Sequence, residues 1–471
     1  MNVLFIYLIP PKNEYQMGYT QGIGFLSTIL KKNNHNTSLI RIDTLDKDEI
    51  GKSIQDFKPG LIALSCTSDQ SYLAKDISKY IKENFNIPVI LGGVHATVAP
   101  DDSITCEVNA ICLGEGDHAL LEFVETLEKG KDISKIKNFW IKKDGKIIKN
   151  PPRPLIQDLD SLGFPDRDMF DYKTLLKGYY NGLEFLAGRG CPYQCSYCIN
   201  HVLQKLNKGS KFVRWRSVNN VLSEMKLVMP KYKGCYDIIT FHDDTFTLDK
   251  NWFKEFAEKY SKEISFPFRC ATRANFIDEE MVSLLKKANC KEVWIGVEAG
   301  DEDMRNKILS KRITDEQIIK AFKLCKDNGI KTTAFNMIGV PYETEETINK
   351  TIEINKKIKA DNIMLSIFQP YPGTELGELC KKNGWLTEKR VGGVYKTTVL
   401  NQPDMPKKKL EYYRSIFHAS VGESKLLPLI KLLAKIRVAK DYNLYEALRL
   451  ATVKIVNDKQ RNFLKKIVWG V

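Results

Sequence analysis

The sequence predicts an α/β protein with two successive parallel-sheet regions and a helical end. Short apolar runs of strand length alternate with amphipathic stretches of helix length, which favours sheets covered by helices. A proline-rich stretch with little periodicity, residues 150–175, interrupts the alternation, which then resumes to about residue 377. We therefore expect a doubly wound sheet, a linker, a partial (β/α)6 barrel and a mainly helical region, at residues 1–145, 146–180, 181–385 and 386–471.

In the first region, a glycine-spaced segment, Gly18–Gly24, leads into a helix that ends near Lys32. Ser68 and Asp69 suit a helix N-cap after the third apolar run. The helix that follows carries apolar residues on one face: Leu73, Ile77 and Ile81. The expected parallel strands are VLFIYL, SLIRID, LIALSC, PVILGG and AICLGEG, at residues 3–8, 38–43, 61–66, 88–93 and 110–116.

Polar and glycine residues follow three of these strands at their carboxyl ends, where doubly wound sheets bind ligands. They are Ser65, Thr67 and Ser68, then Gly92, Gly93 and His95, then Gly114, Glu115 and Gly116. Glycines let the backbone approach a large ligand closely. The pattern therefore predicts a site for a flat or phosphate-bearing ligand, and ordinary turns between strands and helices are the alternative.

The second region contains six strand candidates separated by helical segments such as residues 218–229, 278–289 and 315–329. Such an alternation predicts a partial barrel with its chemistry at the carboxyl ends of the strands. The strand candidates are residues 183–188, 237–243, 267–273, 292–298, 331–339 and 362–369.

The composition is that of a soluble globular protein, with 43% hydrophobic and 28% charged residues. No apolar run is long enough for a membrane span, and the N-terminus reads as a strand, so we expect a cytoplasmic protein. The odd count of 11 cysteines argues against a disulfide framework. The net charge of +14 leaves a nucleic acid, a membrane surface or an acidic reductase open as anionic partners.

Three of the cysteines lie on one short loop after the first barrel strand, with the spacing C-x3-C-x2-C: Cys191, Cys195 and Cys198. Thiolates are ligands for iron or zinc, and three of them without a fourth would leave one iron of a [4Fe–4S] cluster open. His201 could instead complete a Cys3His zinc site, although zinc ligands usually come in two separated pairs. The other eight cysteines lie mostly in apolar runs and are expected to pack in the core.

This loop, with the aromatic Tyr197 before its last cysteine, resembles the cluster loop of the radical S-adenosylmethionine (SAM) superfamily. The resemblance implies a [4Fe–4S] cluster on the three cysteines that cleaves SAM to a 5′-deoxyadenosyl radical. It also implies that residues after the later barrel strands bind SAM. Asp243 and Asp244 would bind its amino group, Arg273 its carboxylate and Glu298 its ribose, while Ile338 and Gly339 would hold its adenine; QPYPGTEL, residues 369–376, closes the sixth strand.

The first region, including the segment GGVHATVAPDDSITCEVNAICLGEGD at residues 92–117, resembles the flavodoxin-like cobalamin-binding domain of B12-dependent radical SAM proteins. This implies that the nine residues at the strand ends contact cobalamin. The chain has no D-x-H-x-x-G motif, and neither His35 nor His95 has the spacing of a cobalt ligand. A sheet that only supports the barrel is the alternative.

The two resemblances imply an enzyme that methylates an unactivated carbon, with a flavodoxin or ferredoxin as reductant and a small-molecule or lipid-like substrate. Radical cyclisation or rearrangement, as in the anaerobic magnesium-protoporphyrin ester cyclase group, is the alternative within the family. A non-catalytic iron–sulfur sensor is a rival of another class, and no nucleic-acid partner is expected. A methylthiotransferase would need further cluster cysteines, whereas Cys66, Cys106 and Cys112 lie within or beside apolar runs.

The C-terminal segment at residues 425–440 is both basic and apolar. A core-facing helix with a solvated basic side is the favoured interpretation, and a helix lying on an anionic membrane is the alternative. In either case one face is expected to carry Leu429, Leu432, Leu433 and Ile436.

Overall fold

The computed structural model describes residues 1–10, 19–176, 182–387 and 398–438. The expectations for Gly18, the end of the linker at residues 177–180 and the tail beyond residue 438 therefore lie outside the described residues. The chain divides into two compact units. The first comprises Met1–Ala271, Leu284–Cys290 and Tyr371–Glu378, and the second comprises Thr272–Ser283, Lys291–Pro370 and the chain from Leu379 onward.

The N-terminal sheet contains the five predicted strands in parallel, in the order β2-β1-β3-β4-β5 that is typical of flavodoxin-like folds. Two antiparallel strands, β6 and β7, extend the sheet and were not predicted. They are joined at Asp144 and Gly145, both with positive φ, and Asp-Gly is a strong hairpin signal in a sequence. The strands are β1 (Asn2–Leu8), β2 (Asn36–Ile42), β3 (Leu61–Ser65), β4 (Val89–Gly92), β5 (Ala110–Cys112), β6 (Phe139–Lys143) and β7 (Lys146–Lys149).

Helices cover this sheet: α1 (Gln21–Lys32), α2 (Lys47–Phe57), α3 (Ser71–Asn84), α4 (Val94–Val98), α5 (Pro100–Ser103) and α6 (Asp117–Glu128). The apolar face predicted for α3 is confirmed, because Leu73, Ile77 and Ile81 are buried in the core of the sheet. The predicted N-cap was wrong. Residues 68–70 form a 3₁₀ turn, α3 begins at Ser71, and the Ser68 hydroxyl contacts the ring of His95 instead.

The stretch after the first sheet is held against α1, and this contact explains one predicted glycine. Gly24 lies inside α1, where a Cβ atom would be 2.9 Å from Pro165. The amide of Asp166 donates to the Gly24 carbonyl, and its carboxylate accepts from Ser27 and Lys31 at 2.7 and 2.6 Å. Gly24 therefore allows a close chain crossing.

The second sheet contains all six predicted barrel strands, in the order β8-β11-β12-β13-β14-β15. The elements up to its third strand are α7 (Tyr172–Leu176), β8 (Gly182–Phe185), β9 (Gly188–Arg189), α8 (Asn200–Leu206), β10 (Arg214–Trp215), α9 (Val218–Lys231), β11 (Ile238–Phe241), α10 (Lys250–Glu263) and β12 (Phe268–Thr272). The later elements are α11 (Glu279–Lys287), β13 (Cys290–Glu298), α12 (Asp315–Asp327), β14 (Lys331–Ile338), α13 (Glu345–Ile358) and β15 (Asn362–Ile367). The predicted α/β fold class is confirmed.

Local sequence explains where several barrel helices begin. Side-chain oxygens of Ser217, Asp249, Thr314 and Thr344 accept hydrogen bonds from the first turns of α9, α10, α12 and α13. Such caps satisfy helix amides that have no intrahelical partner. At Thr314 the cap is reciprocal, because the Gln317 Oε1 accepts a hydrogen bond from the Thr314 amide.

The second unit ends in helices α14 (Glu375–Lys382, shared with the first unit), α15 (Lys407–Val421) and α16 (Leu427–Val438). Helix α16 buries Ile430 and Ala434 in a cluster with α15. Leu433 is also buried, while Leu432 is 50% exposed. The predicted apolar face was therefore rotated from the observed one, because packing on α15 selects the buried side. None of the helices in the described part of the chain is long and apolar enough to cross a membrane.

Candidate functional site

The loop with the three cysteines begins at β9, which pairs antiparallel with β10 in a two-stranded sheet. A Cβ atom on Gly188 would lie 2.8 Å from the Arg214 carbonyl oxygen. Gly190 has φ +93°, and a Cβ atom there would lie 2.6 Å from the Phe212 carbonyl oxygen. Both glycines are therefore required by close backbone approach, and the pairing of β9 with β10 fixes where the loop starts.

The loop presents its thiols among hydrogen-bond donors. Cys195 is buried, and Cys191 and Cys198 are partly exposed. The amide of Tyr193 donates to Cys191, and that of Asn200 donates to Cys198. Burial raises the pKa of Cys191 and raises that of Cys198 to about 12, so a thiolate is favoured there only with a metal partner. Three thiols on one loop, two of them with amide donors to sulfur, fit a [4Fe–4S] cluster.

His201, the residue that could complete a zinc site, contacts the backbone of the cysteine loop. His201 is buried, and its Nδ1 lies 3.1 Å from the Cys195 carbonyl oxygen. Within the described residues, no group of three or more His, Cys, Asp or Glu side chains is arranged to hold a single metal ion. A tetrahedral zinc ion needs four ligands on one centre, whereas the cysteines of a [4Fe–4S] cluster each bind a different iron.

Two further contacts that sequence reasoning missed support the loop. Gln204, on α8, donates through Nε2 to the carbonyl oxygens of Cys191 at 2.6 Å and Tyr193 at 3.3 Å. The amide of Leu376, at the end of the QPYPGTEL segment, donates to the Ser196 carbonyl at 3.1 Å. Gln204 lies 13 positions from Cys191, and no local pattern in the sequence signals the contact.

The two aspartates after β11 have different environments. The carboxylate of Asp243 is buried and accepts the amides of Ala187, at 3.1 Å, and Gly188, at 2.6 Å. Burial raises the pKa of Asp243 to about 7, against these hydrogen bonds. Asp244 is solvent-accessible, and its carboxylate accepts from the Asn200 side chain. Asp243 thus holds the start of the cysteine loop, and Asp244 is the carboxylate available to a ligand.

Tyr197, which was predicted to contact SAM, lies between Ser196 and Cys198 and is half-buried. The structure places it on the same loop as the three cysteines and in the same compact unit as Asp243 and Asp244.

In the second unit, the predicted residues Arg273 and Glu298 each contact Lys311. Arg273 is buried and donates to the Lys311 carbonyl and, at 3.2 Å, to Asn275. Glu298 ends β13 at a bulge, has φ +65°, and accepts from the Lys311 ammonium at 2.9 Å. A non-glycine residue with positive φ at a strand end is a strained feature of the kind found at functional sites. Lys311 was not predicted.

The predicted Ile338 and Gly339 follow β14. Ile338 is fully buried, and Gly339 has φ +82°. The Gly339 amide donates to Glu343, and its carbonyl accepts from Gln402 at 2.7 Å. Glu343 is buried, and burial raises its pKa to about 8. Glu343 and Gln402 therefore clamp the Gly339 backbone from its amide and its carbonyl. The contact of Gln402 could not be predicted from the sequence, because Gln402 lies 63 positions from Gly339.

The carboxyl edge of the N-terminal sheet is open at β3 and β4. Thr67, Gly93 and Val94 are exposed there, and Gly92 and Ser65 are partly exposed. Gly93 has φ +92°, and a Cβ atom on it would lie 2.7 Å from the Cys66 carbonyl oxygen; on Gly92 the closest atom would be 3.9 Å away. This shelf of backbone fits a large flat ligand such as the corrin ring of cobalamin.

His95 is not placed to ligate cobalt. Its ring is buried, with Nδ1 3.1 Å from the Ser68 hydroxyl and Nε2 3.0 Å from the Asp102 carboxylate, which also pairs with Lys75 at 2.7 Å. Both ring nitrogens are therefore engaged within the fold. The residues fit cobalamin held without a histidine ligand.

The predicted segment Gly114–Gly116 supplies a carboxylate to the strand pair β9–β10, which flanks the cysteine loop. Glu115 accepts two hydrogen bonds from Arg214, at 2.9 and 2.8 Å, and lies 3.2 Å from Arg189. Arg189 also pairs with Asp117 at 2.9 and 3.1 Å. Bidentate pairs of this kind fix orientation. The network joins the loop after β5 to the strand that leads into Cys191, and its partners were not predicted.

Core packing explains most of the remaining cysteines. Cys66, Cys106 and Cys112 are buried, and burial raises the pKa of all three thiols, that of Cys106 to about 11 and that of Cys112 to about 12. Of the eight cysteines outside the loop, seven are buried and Cys235 is half-buried. Within the described residues they form no second metal-binding group, as a methylthiotransferase would require.

Comparison with known proteins shows which protein families share this architecture. The B12 binding domain model matches residues 15–124, and the Radical SAM superfamily model matches residues 185–354. The uncharacterized methyltransferase PH0819 of Pyrococcus horikoshii is 30% identical over 406 residues, which cover 82% of this chain and 85% of that protein. The anaerobic magnesium-protoporphyrin IX monomethyl ester cyclase of Rubrivivax gelatinosus is 26% identical over 370 residues, 75% of this chain and 65% of the cyclase.

Solved structures share the fold. The radical SAM methyltransferase TsrM from Kitasatospora setae, with cobalamin and a [4Fe–4S] cluster bound, has a TM-score of 0.67 and 16% identity over 82% of this chain and 76% of its own. OxsB with aqua-cobalamin bound has a TM-score of 0.71 and 17% identity over 96% of this chain and 75% of its own. The chain therefore belongs to the radical SAM superfamily, in the branch with a B12 binding domain, and is an enzyme that uses a [4Fe–4S] cluster, SAM and cobalamin.

Proposed function

We propose that this enzyme transfers a methyl group to an unactivated carbon of its substrate. The ion network of Glu115 and Asp117 with Arg189 and Arg214 carries the proposal. It fixes the strand before Cys191 to a loop at the cobalamin-binding edge of the N-terminal sheet, within one compact unit. An enzyme that uses both cofactors on one carbon needs the two cofactor sites at a fixed distance and orientation, because a small misplacement of the reacting groups slows a reaction strongly.

When bound, the reduced cluster and SAM supply a carbon radical that removes hydrogen from the substrate, and cobalamin supplies the methyl group. We assign Cys191, Cys195 and Cys198 as the iron ligands. Asp243 holds the loop backbone, and Asp244 accepts the SAM amino group, because its carboxylate is accessible.

The second unit contributes the remaining proposed SAM contacts. We assign Arg273 to the carboxylate of SAM, Glu298 to the ribose hydroxyls, and Ile338 with Gly339 to the adenine, and Tyr197 contributes an aromatic contact from the cysteine loop. The clamp on Gly339 by Glu343 and Gln402 supports the adenine assignment, since it holds the backbone rigid after β14.

For cobalamin we assign contacts to the backbone of Gly92, Gly93, Gly114 and Gly116 and to the side chains of Ser65 and Thr67. His95 and Ser68 are assigned a supporting role at this edge, because the buried His95 ring contacts the Ser68 hydroxyl and the Asp102 carboxylate. Glu115 is assigned a supporting role, because its carboxylate is already paired with Arg214.

Oxidative cyclisation is the second candidate, favoured by the similarity to the magnesium-protoporphyrin ester cyclase over three quarters of this chain. The match covers 65% of the cyclase, so the similarity by itself does not assign the cyclase reaction to this chain. Product mass separates the two reactions. A gain of one CH2 supports methyl transfer, and a loss of hydrogen supports cyclisation.

We further propose that the enzyme is cytoplasmic, takes its electron from a flavodoxin or ferredoxin, and acts on a small or lipid-like molecule. Helix α16 presents Leu432 to solvent between Lys431 and Lys435, which would allow contact with an anionic membrane. Flotation with anionic liposomes tests this contact. Loss of flotation in Leu432→Glu supports it, and absence of flotation by the intact chain contradicts it.

The test of the main proposal uses full-length protein purified without oxygen and reconstituted with iron and sulfide. With SAM and dithionite, the wild type is expected to form 5′-deoxyadenosine, and a variant with all three loop cysteines changed to alanine is expected to form none. Wild-type protein that binds iron and SAM but cleaves no SAM, with or without candidate substrates, would instead favour the sensor function.

A further inference from the structure

Asn200 contacts both a cluster ligand and the aspartate assigned to SAM. It is the first residue of α8, is 9% exposed, and follows Cys198 by two positions. Its Nδ2 lies 3.7 Å from the Cys198 sulfur. Its side chain also donates to the carboxylate of Asp244.

These contacts differ from the usual role of asparagine at the start of a helix. An asparagine at that place commonly accepts a hydrogen bond from the helix backbone through its side-chain oxygen. In α8 the N-cap position is Ile199, and the amide group of Asn200 instead donates to a sulfur and a carboxylate. Asn200 is therefore oriented by the cysteine loop and by Asp244.

A hydrogen bond to a ligand sulfur changes the electronic properties of an iron–sulfur cluster. Such bonds withdraw charge from the thiolate and make the reduced cluster easier to form, which raises the reduction potential. A nearby carboxylate has the opposite effect, and Asp244 is close enough to repel negative charge on Cys191 and Cys198. Asn200 contacts both groups that affect the reduction potential, the Cys198 sulfur and the Asp244 carboxylate.

We propose that Asn200 is a positioning residue that raises the reduction potential of the cluster through Cys198 and holds Asp244 in place. The proposal rests on the assignment of Cys198 as an iron ligand. One electron from the external reductant converts [4Fe–4S]²⁺ to [4Fe–4S]⁺, and the amide donor of Asn200 stabilises the added charge.

The test is an anaerobic redox titration of the reconstituted full chain without SAM, with dithionite as electron donor and the reduced cluster followed by electron paramagnetic resonance. Asn200→Ala is expected to move the midpoint to a more negative potential than wild type. Asp244→Asn is expected to move it to a more positive one. Gln204→Ala is the matched control, because Gln204 lies on the same helix and contacts loop carbonyls without donating to a sulfur.

A midpoint in Asn200→Ala equal to that of wild type, at equal iron content, would overturn the proposal. An equal shift in Gln204→Ala would also overturn it, since the effect would then come from loop geometry. If Asn200→Ala does not hold the cluster, Asn200→Ser is titrated by the same criterion. A wild-type chain that binds no iron would overturn this inference and the proposed function together, whereas an unshifted midpoint affects this inference alone.

Discussion

The carboxylate of Asp243 accepts the backbone amide of Gly188 at 2.6 Å, across 55 positions of sequence. This bond, with two more from Ala187, ties the turn after β11 to the strand that leads into the cysteine loop. Two neighbouring aspartates with the same predicted role therefore act differently. Asp243 supports the loop, and Asp244 faces solvent.

Asp243→Ala is expected to lower the iron content after reconstitution and to destabilise the protein by roughly 1–3 kcal/mol, because two buried amides lose their acceptor. Asp244→Ala is the matched control. It should retain the cluster and stability while SAM binding falls. The measurements are iron content, a denaturant unfolding curve and SAM binding at equilibrium. Equal iron loss in both variants would show that the two residues share one role.

Breaking the pair of Glu115 with Arg214 is expected to destabilise the strand pair β9–β10 that flanks the cysteine loop. A double-mutant cycle of Glu115→Gln and Arg214→Met should give a coupling energy of about 1–3 kcal/mol, because the Arg214 side chain is buried and the pair is bidentate. The more exposed pair of Arg153 and Glu122 should couple by less than ~1 kcal/mol. Similar values for both pairs would contradict the supporting role of Glu115.

Gly92 and Gly93 are expected to respond differently to a methyl group. Gly93→Ala should unfold the edge of the sheet, because its φ of +92° and the contact with Cys66 leave no room for a Cβ atom. Gly92→Ala has space in the fold, so its thermal stability should match wild type while cobalamin affinity falls. Absorbance titration with hydroxocobalamin measures the affinity. Unchanged binding in Gly92→Ala would remove Gly92 from the proposed cobalamin contacts.

Glu343 is expected to make stability depend on pH. Burial raises its pKa from 4.5 to about 8, so the folded state holds an extra proton between these values. Stability should therefore fall as pH rises from about 4.5 to 8, by up to ~1.4 kcal/mol per pH unit from this group, and level off above pH 8.

The Glu343→Gln variant should lose this part of the slope, which a series of thermal-unfolding midpoints from pH 5 to 8.5 would measure. Glu345→Gln is the control, because the pKa of the exposed Glu345 is lowered by Lys409 and its titration lies below this window. Identical slopes in wild type and Glu343→Gln would show that Glu343 is not protonated in the fold.

Much of the fold could be predicted because local patterns determine it. Strands such as β1 and β3 are buried along almost their whole length and read as continuous apolar runs, and helices such as α3 have an apolar face. The β6–β7 hairpin was not predicted, although Asp144–Gly145 signals it, because it stands outside the alternation of strands and helices. The buried face of α16 was misjudged because an apolar and basic helix has several candidate faces, and contact with α15 selects one.

The sequence by itself determined the cysteine loop and the positions of the parallel strands along the chain, because the signals for each lie within a few residues of each other. The tertiary structure alone decided which polar side chains meet. Glu115 pairs with Arg214 from 99 positions away, and Gln402 holds Gly339 from 63 positions away. Such partners depend on distances set by the packed sheets, and a buried charge or amide takes the nearest group that can satisfy it. That is why residues expected to bind cofactors, Glu115 and Asp243, were found holding the backbone and side chains around the cluster loop.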